Sequence, residues 1–139
     1  MNKYQLINDI LQEGRAEEFS TKVIKDPRSK GGYLVVRSTS DGEEDDIEIT
    51  KEIKDKVIKV LKKNYKQIYT DIFYAALSHV SDKSINKHRD QFFKEKINDI
   101  LIVSDKKKYY LLTYIEFKFP FKGRVDIMLD PNGKVIKAY

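Results

Sequence analysis

The chain has 139 residues, no cysteine, 35% Asp, Glu, Lys and Arg together, and a formal net charge of +5. Without cysteine there is no disulfide scaffold and no thiolate to hold a metal or act as a nucleophile. No apolar run approaches the roughly 20 residues of a membrane span, and the polar opening MNKYQLINDILQEG lacks the layout of a secretory signal.

The expectation is therefore one domain over residues 1–139, cytoplasmic and away from membranes, long enough to bury a core unaided. Its wealth of Lys, Ile, Asn and Tyr fits the AT-rich coding of many bacteria and phages. Residues 1–49 carry seven basic against eleven acidic side chains, and residues 50–139 carry twenty against eleven, so the second part holds a net +9. That excess would attract phosphates or an acidic partner.

In chain order, residues 4–13 read as a short helix with Leu6, Ile7, Ile10 and Leu11 on one face and Gly14 as its stop. Phe19, Thr21 and Val23 alternate with polar neighbours, and DPRSKGG joins them to YLVVRSTS. Residues 17–40 are thus predicted to form a hairpin. Gly31-Gly32 suits its turn and matches neither a P-loop nor a dinucleotide fingerprint. The six carboxylates of DGEEDDIE at 41–48 lack the spacing of a calcium loop and read as a solvated lead into a helix.

Residues 51–80 are predicted to be one long central helix. Ile53, Val57, Val60, Leu61, Tyr65, Ile68, Ile72, Ala75, Ala76 and His79 recur at three- and four-residue steps. Lys51, Lys54, Lys59, Lys62, Lys63 and Lys66 fall mostly off that stripe, and Thr50 is placed to cap the first turn. Tyr69, Phe73, Tyr74 and Leu77 add apolar surface to the second half, which should be wrapped on several sides. A straight helix of this length spans roughly 45 Å, so it should bend near residues 64–66 or project towards a partner. A third helix is predicted over about 85–98, exposing Lys87, Arg89, Lys94 and Lys96.

From residue 99 the period becomes two. Strands are predicted at about 99–104, 109–119, 124–130 and 134–138, the last two joined by the turn Asp130-Pro131-Asn132-Gly133. The fold class is α+β: an antiparallel meander and an N-terminal hairpin packed on the long central helix, with two shorter helices.

Chemistry-bearing residues concentrate in the meander. Leu111, Thr113, Ile115, Val125, Ile127 and Leu129 share one face of two strands. Tyr110, Leu112, Tyr114, Glu116, Lys118, Arg124, Asp126 and Met128 share the other. A three-residue connection would place Lys118 opposite Arg124 and Glu116 opposite Asp126. Glu116-Phe117-Lys118 beside Asp126 resembles the core of the PD-(D/E)xK nucleases. That resemblance implies magnesium held by Glu116 and Asp126, with Lys118 assisting the attacking water. The aspartate strand follows the E-x-K strand here, and more sheet stands where that family has a helix. The competing interpretation is a salt-bridge lattice on a solvated face. His79 is expected in the core and His88 on the surface, with no zinc-site spacing.

Nine Tyr and seven Phe, several beside lysines, supply stacking surfaces next to cations. The leading expectation is a non-enzymatic binding module for an anionic ligand, a nucleotide or nucleic acid. Its candidate contacts are Lys62, Lys63, Tyr65, Arg89, Lys107, Tyr110, Tyr114 and Arg124, and no cofactor is expected. The alternatives are a magnesium-dependent nuclease using Glu116, Lys118 and Asp126, and a protein–protein module, including a homodimer, assembled through the long helix.

Overall fold

A computed structural model describes residues 19–37, 48–80, 84–105, 107–118 and 122–139. The predicted helix at 4–13 and the carboxylates at 41–47 lie outside them. Six strands form one sheet in sequence order: β1 (Ser20–Lys22), β2 (Tyr33–Arg37), β3 (Ile100–Asp105), β4 (Lys108–Phe117), β5 (Gly123–Leu129) and β6 (Val135–Ala138). With the helix α1 (Lys51–His79) and the short helices α2 (Ser84–Lys87) and α3 (Arg89–Phe92), the fold is α+β.

The hairpin and the meander belong to the same sheet. β2 pairs with β3 in parallel, Leu34 opposite Ile100 and Val36 opposite Ile102, while the other neighbours are antiparallel. Parallel partners require a long crossover, and the segment carrying α1, α2 and α3 supplies it.

α1 is continuous through residues 64–66, where the sequence allowed a bend or break as one of two alternatives. Thr50 caps it, its hydroxyl accepting from the Ile53 N–H at 3.3 Å, as the sequence implied. Val57, Leu61, Ile68, Tyr69, Ile72, Phe73, Ala76 and Leu77 are buried against Leu34, Ile100, Ile102, Leu111, Ile115, Val125, Ile127 and Leu129 of the sheet. His79 is exposed rather than part of the core.

The third helix is shorter than predicted and divided. α2 and α3 have four residues each, and Ile97 leaves helical geometry to form bridges with both Ser29 and Ile115. Ile97 is fully buried there, its backbone N–H and C=O both engaged by the Arg28–Lys30 segment. Phe92 is fully buried, edge-on to Phe73 at 6.2 Å and to Phe117 at 5.5 Å, and closes that end of the core.

The strand faces segregate as their alternation predicted, but the β4–β5 register differs by two residues. Glu116 pairs with Arg124, Tyr114 with Asp126, and Phe117 with Gly123. The parity required by the core is kept, with β4 ending at Phe117 and β5 beginning at Gly123. A Cβ on Gly123 would lie 2.3 Å from Phe117 Cζ. The ring therefore uses the space that only glycine leaves.

The turn after β5 forms as expected. Asp130 Oδ1 accepts from the N–H groups of Asn132 and Lys134 at 2.8 and 3.0 Å, and Gly133 takes φ +84°.

Candidate functional site

The sheet separates the candidate contacts on the helices from those on its other face, and Lys107 lies in a turn between them. Lys62 and Lys63 are exposed on α1, while Tyr65 is half-buried against the main core. Arg89, on α3, sets its guanidinium carbon 5.8 Å from the Phe93 ring centre. Lys107 is exposed in the β3–β4 turn.

Tyr110, Tyr114 and Arg124 lie on the opposite sheet face. There Val35, Leu101, Val103 and Leu112 form a small second cluster, with Tyr110 and Met128 packed against it. One ligand cannot contact both sets without wrapping round the edge of the sheet.

The three residues that resemble a nuclease core are separated by the observed register. Glu116 is exposed opposite Arg124, Lys118 lies beyond the end of β4, and Asp126 accepts from Arg124 Nε and Nη2 at 3.2 and 2.9 Å. Like charges do not face each other directly, so the repulsion expected from the other register does not arise. Among the described residues no three His, Asp or Glu side chains gather as metal ligands.

Arg124 and Tyr114 do meet. The guanidinium carbon stands 3.7 Å from the centre of the Tyr114 ring, and Nη1 is buried with no hydrogen-bond acceptor. Tyr114 is only 3% exposed, so its ring face is occupied internally by Arg124.

On the other side, the N-terminal half of α1 carries an accessible cationic surface. Residues 51–66 contain seven lysines against Glu52 and Asp55, a net +5. Lys54 is half-buried with its ammonium 4.8 Å from the Phe19 ring centre, and the other six lysines are exposed. Lys59, Lys62 and Lys63, with Asp55 and Ile58, line an open concavity of about 500 Å³. Among the described residues no carboxylate lies within ion-pair distance of these three ammonium groups. No protein-family model, curated protein or solved structure matches this chain.

Two residues outside the sequence-derived set belong to this surface. Lys59 lies one turn before Lys62 and Lys63, and its place off the apolar stripe was visible in the sequence. Tyr74 was assigned to the wrapped half of the helix and is instead 52% exposed. The signal that could have found it is its spacing from Lys63. Eleven residues are close to three full turns, so the two side chains share a stripe.

The segment before β2 holds α1 against the sheet. Arg28 donates to Asp26 Oδ1 from Nε at 3.0 Å and to Thr70 Oγ1 from Nη1 at 3.0 Å. Its guanidinium carbon also stands 5.7 Å from the Tyr69 ring centre. The Arg28 hydrogen bond keeps the Asp26 carboxyl below the ordinary carboxylate value. Burial does the reverse to Asp99, raising its pKa although its carboxylate accepts from the Tyr33 N–H at 3.2 Å.

Proposed function

We propose that the protein is a non-enzymatic binding module for an anionic, phosphate-bearing ligand, held along the lysine face of α1. One observation carries this proposal: Lys59, Lys62 and Lys63 line a single open concavity with Asp55 as the one carboxylate among its lining residues, and no described carboxylate lies within ion-pair distance of the three ammonium groups. The cap at Thr50 and the packed stripe beneath set the positions of the lysine Cα atoms. An anion would meet a preorganised array rather than a loop that must first be ordered.

Binding rather than catalysis is supported by what the meander does with its ionisable groups. Asp126 is engaged by Arg124, and Glu116 stands opposite that same arginine. The nuclease resemblance therefore has no assembled metal cradle behind it. A homodimer through the lysine half of α1 would set two surfaces of net +5 against one another, which favours a monomer binding a ligand of opposite charge.

The test is a titration with an oligonucleotide at increasing salt. Neutralising three phosphates gives a slope in log affinity against log salt of about −2 to −3. Lys59→Ala, Lys62→Ala and Lys63→Ala together should reduce that slope. Affinity that stays constant from low to moderate salt would overturn the proposal.

A further inference from the structure

The lysine stripe does not end in featureless surface. Lys63 shares a stripe of α1 with Tyr74, which lies about 16 Å beyond it along the axis, with Lys59, Lys62 and Lys66 on the flank of that stripe and the Gln67–Asp71 pair between. Tyr74 is the most exposed aromatic side chain among the described residues. Its ring is not loose. Phe93 meets it at 5.7 Å with the planes at 63°, and the Arg89 guanidinium stands over the Phe93 ring. Phe93 in turn rests edge-on against the core residues Phe73 and Phe92 at 5.7 and 5.8 Å.

The ring stays largely open to water while Phe93 packs against it.

Resting on the anion-binding proposal, we infer that the ligand is a single-stranded nucleic acid. Its phosphates follow Lys59, Lys62, Lys63 and Lys66, and one of its bases stacks on Tyr74, with Arg89 beside the stack to meet the next phosphate. Lysines that track a backbone, ending in an aromatic platform, are the two components of strand binding without sequence readout. A duplex keeps its bases stacked on each other and offers Tyr74 no free face. A phosphate polymer without bases uses the lysines alone.

The experiment compares binding of four probes to the full chain: a fluorescent ten-nucleotide DNA strand, the same strand with abasic sites, its duplex, and inorganic polyphosphate. The intact single strand should bind tightest. Tyr74→Ala should weaken it about tenfold, the loss expected for one base stack, and leave the abasic strand and polyphosphate unchanged. Tyr74→Phe should retain wild-type binding, because the stack needs the ring and not the hydroxyl. Tyr74 is exposed, and unchanged urea midpoints would establish that these variants fold.

If Tyr74→Ala binds the intact strand as wild type does, or if abasic and intact strands bind equally, base stacking is overturned and the lysine surface survives. If Lys62→Ala with Lys63→Ala alters binding of none of the four probes, the anion-binding proposal itself falls.

Discussion

Arg124 holds its guanidinium carbon 3.7 Å from the Tyr114 ring centre and reaches Asp126, two residues along its own strand, through Nε and Nη2. Both contacts depend on the observed β4–β5 register. With Lys118 opposite Arg124, the arginine would stand beside Glu116 on the diagonal, and Tyr114 would be out of reach. The contacts also leave Nη1 buried without an acceptor, so the latch is well stacked and incompletely hydrogen-bonded.

Breaking one member of that latch should cost more than replacing it. Asp126→Ala leaves a largely buried guanidinium without its carboxylate and is expected to lose about 2 kcal/mol in urea unfolding. Arg124→Met combined with Asp126→Ala should lie within about 1 kcal/mol of wild type, since no orphaned charge remains. A double variant as unstable as the two single losses added together would refute the latch.

Two glycines are under different constraints. Gly32 has φ +75°, and an added Cβ would lie 2.0 Å from the Ile24 carbonyl oxygen. Gly133 has φ +84° and would meet Ile68 Cδ1 at 2.5 Å. The backbone oxygen cannot turn away, whereas the end of an isoleucine side chain can. Gly133→Ala should therefore cost about 1–3 kcal/mol, for left-handed strain with a small repacking cost. Gly32→Ala should cost more, and equal losses in thermal unfolding would contradict that ordering.

Acid stability should depend on two carboxylates with opposite signs. Asp26 titrates below its ordinary value because of Arg28. Its contribution is present above the unfolded pKa near 3.8 and is lost as pH falls through the lower folded value. Asp99 is raised by burial, so folding takes up a proton there and its charged form costs stability at neutral pH. In urea unfolding between pH 3 and 7, Asp26→Asn should flatten the acid loss. Asp99→Asn, which keeps an acceptor for the Tyr33 N–H, should steepen it and leave neutral stability equal or higher.

At the alkaline end, burial raises the Tyr69 phenol to about 12 against an ordinary 10.0, with the Ser29 hydroxyl and Arg28 acting in the opposite direction. The unfolded chain releases this proton first, so stability should fall as pH rises from about 10 towards 12. Tyr69→Phe should make that decline shallower. An identical slope in chemical denaturation across the alkaline range would show that Tyr69 does not contribute to it.

Local features were legible in the sequence wherever one short-range rule decided them. The 3.6-residue recurrence of Val57, Leu61, Ile68 and Ile72 marked α1, Thr50 marked its start, and Asp130-Pro131-Asn132-Gly133 marked the β5–β6 turn. Alternation assigned Ile115 and Ile127 to the core face and Tyr114 and Asp126 to the other. The end of the third helix was not legible, because Ile97 is apolar in either conformation. Only the positions of Ser29 and Ile115, far from it in the chain, make the extended one better.

The lysine stripe of α1 is a property of the sequence by itself: period and charge place Lys59, Lys62, Lys63 and Lys66 away from the core. Tertiary structure alone decided three things. It set the parallel β2–β3 pairing that unites hairpin and meander, the two-residue shift that moved Arg124 opposite Glu116, and the exposure of Tyr74 beside Phe93. Each depends on contacts between residues far apart in the chain. Parity and periodicity narrow such contacts to a few alternatives, and only packing, through a ring over Gly123 or a core already filled by Phe73 and Phe92, selects among them.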